Sequence, residues 1–407
     1  MDPYLANALV RCLESREQGK SVMNADKESL HPSHNTYCKA ADPLSYGRCK
    51  DGIVVYGGTL PKSGFADFWD GITLPAEIDG LPVTELRGTY HAYMRGFRGK
   101  NDFIDAPNLK RVYLRLEGTN LNCCCSPHDP HFCLSDHNKI EWIELELFAK
   151  NITLSDFSNS KAIRKLNFQG TVQGEWNGCY FGDSLYVFYS EFSGCTNLKE
   201  VRGKFEADRA GELFSGCTSL VTAPELNVEE LRGTFFNCSS LRSVRLGDRM
   251  KIIGDRTFSG CTSLSDIFIP DTVEKFGKYV FENCVQLRSI HMPSKITSIS
   301  EGLFCGCASL RKVFLSDEIK NIESEAFKGC TSLVSPWIPG KLEKIGDRAF
   351  AGCTALGHVF IPETVEEIGE QAFNRCPNLV IECKEGSCAH RYAVENKLRF
   401  ELNRESL

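Results

Sequence analysis

A phenylalanine followed three positions later by a cysteine recurs along the second half of the chain, and this repeat constrains the fold more than any other feature. Seven copies are separated by 23 residues, with their cysteines at Cys238, Cys261, Cys284, Cys307, Cys330, Cys353 and Cys376. Two looser copies precede them, ending at Cys195 and Cys217, at spacings of 22 and 21 residues. A period of this length predicts a solenoid, in which similar units stack because each is too small to bury its apolar residues alone.

One unit, residues 356–378, shows what a repeat builds. Its opening residues alternate as a short strand with one buried face, and Pro362 then ends the strand because proline cannot donate to a ladder. Near the end of the unit, Phe373 and Cys376 are predicted to lie on a tight helical or 3₁₀ turn on the far side of the core. Each unit therefore contributes one strand and one turn to a common core.

These repeats resemble the leucine-rich repeats of the BspA-like (Treponema pallidum type) class, specifically over residues 241–379 and more loosely back to Gly194. The resemblance implies an α/β fold, a right-handed leucine-rich-repeat solenoid. Its curved parallel β-sheet would form the concave face, and short helical or 3₁₀ turns the convex face. Degenerate strand segments are expected at 108–114 and 162–168, and a closing helix and strand within 388–400.

The repeat pattern divides the chain into four segments. Residues 1–45 are expected to form an N-terminal cap or a flexible segment. Residues 46–190 read as degenerate leucine-rich repeats with a Cys/His-rich insertion near 120–138. Residues 191–382 hold the regular repeats, and residues 383–407 are expected to form a C-terminal cap.

The charge balance argues against a polyanionic partner. Acidic side chains number 53 and basic side chains 47, which gives a net charge of −6. This balance carries no footprint for nucleic acid or an anionic membrane, and no apolar run approaches the ~20 residues of a membrane span. The N-terminal stretch lacks the regions of a secretory signal. We therefore expect a cytoplasmic protein if Met1 is the native start, with the cell surface or non-classical secretion as the alternative.

The chain's 20 cysteines could suggest a disulfide framework. Nine of them occupy the repeat position and are predicted to form an inward-facing ladder, at the ~4.8 Å spacing of neighbouring strands. That spacing does not by itself exclude disulfides, but nine is an odd number, and small buried thiols pack well as apolar residues. We expect inert thiols in the core.

A second group of cysteines and histidines, at 123–133, carries the ligand types of a zinc site. The candidate ligands are Cys123, Cys125, His128, His131 and Cys133. Adjacent cysteines cannot easily all face one ion, and the spacing matches no standard finger. An inserted loop with incidental thiols is therefore the favoured interpretation, and zinc is the alternative. The sequence carries no phosphate-cradling loop, G-x-S-x-G elbow or H-E-x-x-H motif, so we expect neither an enzyme nor a cofactor.

The outward strand positions are the candidate protein-binding surface. The central outward column reads Arg245, Phe268, His291, Phe314, Trp337 and Phe360. The neighbouring column reads Ser243, Asp266, Ser289, Lys312, Ser335 and His358, of which Asp266, Lys312 and His358 are further candidate contacts. Consecutive rungs from Phe268 to Phe360 would expose a ring over ~20 Å, and such rings are enriched in interaction surfaces. The alternative is a stripe that stacks on itself and needs no partner.

Pro336 stands where other units place an inward valine or isoleucine. Because proline cannot donate to a ladder, we expect the strand pairing to be interrupted or bulged there. That irregularity would re-aim Trp337, the largest ring of the column, and favours a role for it in binding.

These features predict a non-enzymatic, protein-binding solenoid whose partner lies on the concave aromatic stripe. The family resemblance implies a surface adhesin. An intracellular scaffold or recognition protein, and a self-assembling structural protein, are the alternatives. We expect another protein as the partner, without nucleic acid or membrane insertion, and a monomer or weak self-association.

Overall fold

The structure is a computed structural model that describes residues 45–49, 52–57, 72–73, 77–78, 81–92, 104–105, 110–122, 141–153, 158–159, 161–173, 175–177, 185–336 and 338–403. The chain divides into two compact units. The first comprises residues 1–173 and 200–203, and the second residues 174–199 and 204–407. The predicted N-terminal cap, the Cys/His-rich segment and Trp337 lie outside the described residues.

The first unit is built on a mainly parallel sheet of long strands. Its strands are β1 Ser45–Cys49, β2 Gly52–Gly57, β3 Ile72–Thr73, β4 Glu77–Ile78, β5 Leu81–Ala92, β6 Ile104–Asp105, β7 Arg111–Asn122, β8 Trp142–Thr153 and β9 Ile163–Gln173. β2, β5, β7, β8 and β9 pair in that order, and each neighbouring pair is parallel. β1 is the antiparallel partner of β2, β4 pairs antiparallel with β5, and β3 pairs parallel with β6.

The strand segments expected at 108–114 and 162–168 are confirmed, since they fall within β7 and β9. These strands are longer than a repeat strand, 12 residues in β7 and 11 in β9. In the regular repeats a proline such as Pro362 follows the strand positions, whereas β7, β8 and β9 contain none.

The second unit consists of two rows of short strands. The first row is β12 Glu200–Glu206, which belongs in part to each unit, β14 Glu225–Asn227, β18 Ser289–His291, β20 Lys312–Phe314, β23 His358–Phe360, β25 Val380–Cys383 and β26 Arg399–Leu402. The second row is β11 Leu185–Phe188, β13 Arg209–Ala210, β15 Glu230–Leu231, β16 Ile252–Ile253, β17 Lys275–Phe276, β19 Ser298–Ile299, β21 Asn321–Ile322, β22 Lys344–Ile345 and β24 Glu367–Ile368, with β10 Glu175–Asn177 antiparallel to β11. Within both rows the pairs of successive repeats are parallel, as expected for a solenoid of stacked repeats.

The turns that carry the phenylalanines and cysteines form the remaining side of each repeat. Their backbone bonds are of the i→i+3 type, as from the N–H of Cys307 to the carbonyl of Phe304 at 3.1 Å. The turns expected to be helical or 3₁₀ do not continue into a helix. The residue before each cysteine is left-handed, for example Gly306 with φ of 76° and Asn283 with φ of 57°, and that conformation ends a right-handed coil.

The core of the second unit is a ladder of stacked phenylalanine rings. Its members are Phe192, Phe214, Phe235, Phe258, Phe281, Phe304, Phe327, Phe350 and Phe373. Successive ring centroids lie 5.2–5.6 Å apart with interplanar angles of 0–18°. Each interior ring is therefore packed between two others, which adds a specific stacking contact to the burial of its apolar area.

A second ladder runs beside the rings and is made of the repeat cysteines. Each thiol from Cys217 onward donates to the phenylalanine carbonyl of the preceding repeat, at Sγ···O distances of 2.9–3.2 Å. The Phe281 carbonyl, for example, accepts from the N–H of Cys284 at 3.1 Å and from the thiol of Cys307 at 3.0 Å. The repeat cysteines are buried free thiols, as predicted.

The C-terminal end of the array is closed by the helix α1 Cys388–Glu395 and by β26, which confirms the expected closing helix and strand. Ser387 caps α1 by accepting from the N–H of His390 at 3.2 Å. From α1 the ring of Tyr392 packs edge-on against Phe373, with centroids 6.1 Å apart. Burial raises the pKa of the Tyr392 phenol, and the neighbouring backbone of Ala372 and Phe373 partly offsets that rise.

Ion pairs between successive repeats line the second row. Lys251 and Glu229 are 2.9 Å apart, Lys320 and Glu343 are 2.9 Å apart, and similar pairs recur along the row. Each pair is exposed and stabilises the fold only slightly. The charges of this row are thus largely matched within the protein. No helix in the described residues has the length and hydropathy of a membrane span.

Candidate protein-binding face

The candidate site is the outward surface of the first row, which we call the strand face. It comprises the exposed and half-buried outward residues of 242–245, 265–268, 288–291, 311–314, 334–336, 357–360, 380–382 and 399–401, and Glu382 is among the half-buried ones. Strand alternation produces it, because Ile290, Val313 and Val359 point into the core and their neighbours point away. β18, β20 and β23 all show this exposed–buried–exposed pattern.

The predicted central column is exposed at every position that the structure describes. Phe268 is 77% exposed, Phe314 47% and Phe360 46%, and Arg245 and His291 are exposed as well. The same repeats also contain fully buried phenylalanines. The exposed rings therefore face outward because of their position on the strand, not because the repeat lacks a core that could hold a ring. A row of large exposed rings is unusual for a protein surface and is typical of an interaction site.

Part of the column packs on itself. The rings of His291 and Phe314 are paired by strand register and stack with centroids 4.1 Å apart and an interplanar angle of 7°. The alternative that the exposed rings stack on each other therefore holds for His291 and Phe314. It holds less for Phe268, whose larger exposed fraction leaves most of the ring in solvent.

The strand pairing is interrupted at Pro336, as its sequence predicts. β20 and β23 belong to separate sheets, and residues 334–336 between them form no strand. The re-aiming of Trp337 stays a prediction, because that residue lies outside the described part of the chain. A second interruption, at residues 265–270, was not foreseen, and no proline stands at the strand position there to signal it.

The neighbouring column and the strand starts add charge to the face. Asp266, Lys312 and His358 are exposed, as expected for contact residues. Arg288 and Arg311, which sequence reasoning overlooked, are also exposed, at the point where each turn meets its strand. The sequence does contain a pattern that predicts them, because an arginine follows the inward leucine in several repeats. The net negative charge of the whole chain obscured this local pattern.

A depression opens on the face at its upstream end. It has a volume of about 360 Å³ and is lined by Lys204, Glu225, Asn227, Arg245 and Phe268, among others. Its walls thus combine an exposed ring with both signs of charge. Such a surface suits polar and aromatic side chains of another protein better than a purely apolar ligand.

The buried thiols are unsuited to nucleophilic chemistry. Burial raises the pKa of Cys238, Cys284 and Cys330 well above the ordinary thiol range, and a protonated buried thiol is a poor nucleophile and metal ligand. Within the described residues no three His, Cys, Asp or Glu side chains are grouped to hold a metal ion. The zinc candidates at 123–133 lie outside those residues, so that alternative stays a prediction.

Comparison with known proteins identifies the repeat. The BspA type leucine rich repeat region matches in six copies, over residues 182–285 and 251–380. A search of curated proteins finds no match. Among solved structures the chain is similar to a leucine-rich repeat protein from Bacteroides ovatus, with 21% identity, 90% of this chain and 100% of that chain covered, and a TM-score of 0.49.

Two further solved structures are similar at lower scores. The T. pallidum leucine rich repeat protein shares 17% identity, with 88% of this chain and 95% of that chain covered and a TM-score of 0.27. A leucine rich cell surface protein from Faecalibacterium prausnitzii shares 16% identity, with 90% and 97% covered and a TM-score of 0.35. The assignment of the repeats rests on the family match and on the geometry of the ladders.

Proposed function

We propose that this chain, in which residues 182–380 form a BspA-type leucine-rich repeat array, is a non-enzymatic module that binds another protein on its strand face. The observation that carries the proposal is the exposed column of rings, above all Phe268 at 77% exposure. Covering most of one such ring would contribute about 3 kcal/mol of binding free energy from apolar area alone. Covering the smaller exposed parts of Phe314 and Phe360 would add to this contribution, and a few such side chains commonly dominate the binding free energy of a protein complex.

The two strand rows differ in a way that supports this face over the other. Charges on the second row are paired between repeats, as in Lys344 with Glu367 at 2.9 Å. The strand face presents rings and charges that are free to meet a partner's groups, such as Arg245 and Lys312. Aromatic and arginine side chains are the ones most enriched among the residues that dominate binding energy.

The test compares wild type with a ring variant that combines Phe268→Ala, Phe314→Ala and Phe360→Ala. Val394→Ala serves as the control, because Val394 is an exposed apolar residue on α1, 54% exposed, outside the strand face. Each protein is used as bait against purified extracellular-matrix proteins and, separately, a cytosolic lysate. Captured proteins are then purified and titrated individually against all three baits.

We expect the ring variant to lose at least tenfold in affinity for a captured protein that Val394→Ala binds normally. Equal affinity of the ring variant and wild type would refute the assignment of the face. A partner from the matrix pool would favour the adhesin, and a partner from the lysate the intracellular scaffold. Mass that rises with protein concentration and falls in the ring variant would instead identify self-assembly.

A further inference from the structure

We propose that the strand face recognises an extended protein segment with a fixed charge pattern, acidic at one end, apolar in the middle and basic at the other. This inference rests on the proposed function and names the chemistry of the partner. The acidic end lies over the rows of Arg245 and Lys312, and the basic end over Glu382 and Glu401.

The upstream half of the face is basic. Arg245 and Lys312 are exposed in the two outward columns, and Arg288 and Arg311 are exposed beside them at the strand starts. Asp266 is the carboxylate among these rows. The surplus of cations contrasts with the net charge of −6 for the whole chain. The positive charge is therefore a property of this surface and not of the chain as a whole.

The downstream end of the central column is acidic. Strand register aligns Phe360 with Glu382 in β25, and Glu382 with Glu401 in β26. Arg399 lies in the neighbouring column, but its guanidinium donates to the carbonyl of Pro377 at 2.7 Å. Read along the stack, the central column therefore begins with an arginine, continues through rings and ends with two glutamates.

The reversal of sign favours a patterned protein segment over a uniform polyanion. A nucleic acid strand or an anionic membrane would gain from Arg245 and Lys312. It would then meet repulsion from Asp266 within the basic rows and from Glu382 and Glu401 at the far end. Only a partner whose own charge changes sign along its length complements the whole column.

The dimensions favour an extended segment over a second folded copy. The face spans eight rows, or about 38 Å, and each row presents about 10 Å of strand. The resulting strip is about 400 Å², half of the ~800 Å² per partner that a stable protein–protein interface buries. A segment of about 12 extended residues covers the same length.

The experiment uses the full chain and two synthetic peptides of identical composition, measured by fluorescence anisotropy at low ionic strength. The block peptide has four acidic residues, four tyrosine or leucine residues and four lysines in that order, and the mixed peptide interleaves them. We expect the block peptide to bind at least tenfold more tightly, and the difference to shrink as salt screens the charges. A 12-nucleotide single-stranded RNA is titrated under the same conditions.

A charge-reversed variant, Arg245→Glu with Lys312→Glu, makes the central column acidic at both ends and replaces the lysine of the neighbouring column by a carboxylate. Its affinity for the block peptide should fall by at least tenfold. Its affinity for a third peptide, which has lysines at both ends, should rise. Because the variant gains a ligand, loss of folding cannot produce the result. The control Arg256→Glu with Lys275→Glu changes the same charge at exposed residues outside the face and should bind as wild type.

Equal or absent binding of both peptides, tighter binding of the RNA, or an unchanged preference in the charge-reversed variant would each overturn the inference. So would a concentration-dependent dimer that the charge-reversed variant abolishes, since the occupant would then be a second copy. The proposed function fails separately. If the ring variant loses a captured partner that the charge-reversed variant retains, the face binds protein but not by the charge pattern.

Discussion

We expect the thiol ladder to make the stability of this fold decrease steeply at alkaline pH. Burial raises the pKa of eight repeat thiols, Cys217 to Cys376. In the unfolded chain the same groups ionise near their ordinary pKa of about 8.5. Above that pH the unfolded state releases protons that the folded state keeps, so stability is full below about pH 8.5 and is lost as pH rises toward the folded pKa values.

The size of the effect follows from the number of thiols. Each one destabilises the fold by about 0.4 kcal/mol at pH 8.5 and about 1.4 kcal/mol at pH 9.5, relative to neutral pH. For the seven thiols from Cys217 to Cys353, whose pKa burial raises furthest, the loss at pH 9.5 is about 10 kcal/mol, comparable with the 5–15 kcal/mol total stability of a typical domain. We therefore expect the array to unfold within about one pH unit above 8.5.

The assay is equilibrium urea unfolding in reducing buffer at several pH values between 7 and 9.5, followed by circular dichroism. Cys261→Ala with Cys307→Ala removes two ladder thiols and should lessen the pH-dependent loss by about a quarter. Cys305→Ala is the matched control, because Cys305 is only partly buried and lies outside the ladder. A loss below about 3 kcal/mol between pH 7 and 9.5, or a double variant with the pH dependence of wild type, would refute the reasoning.

Three further predictions concern the core, a turn and the face. Phe304→Ala should lower the free energy of unfolding by about 3–5 kcal/mol in a urea titration, because the ring is buried between two others, whereas Phe268→Ala should cost under about 1 kcal/mol. Gly306→Ala should destabilise by about 1–3 kcal/mol in thermal unfolding, because its φ is positive and a Cβ would lie 2.3 Å from Asn283 Oδ1, and Gly340→Ala, with open space around it, is the neutral control. Trp337→Ala should weaken partner binding by more than about 1 kcal/mol, and unchanged affinity with an intact fold would remove that residue from the site.

The repeat period predicted the core well because the stacking of repeats determines both the period and which residues are buried. A residue type that returns every 23 positions in a stacked array occupies one column, and apolar columns must face inward. That reasoning correctly placed Phe304 and Cys307 in the core. It could not show that the Cys307 thiol bonds the Phe281 carbonyl, because the pairing depends on how adjacent turns are offset in space.

The binding face was predictable in outline and not in detail. Strand alternation identified Phe268, Phe314 and Phe360 as outward, and all three are exposed. The stacking of His291 on Phe314 depends on side-chain rotamers, which a sequence does not specify. Glu382 was missed because it pairs with Phe360 at a spacing of 22 residues, one residue fewer than the 23-residue period of the regular repeats.

The tyrosine at the end of the array caps the surface on which a further ring could stack. Within the stack, each phenylalanine N–H is satisfied by the following turn, as from Phe350 to the Ala372 carbonyl at 2.8 Å. The last ring, Phe373, has no following turn, and the ring edge of Tyr392 packs against it instead. In a stack of identical layers, the last layer presents the same surface to the next layer as every layer before it. Such a surface is a template for the addition of further layers and so for filament growth. Tyr392, a side chain from the chain's own helix, occupies that template and gives the ring stack a terminus at this end.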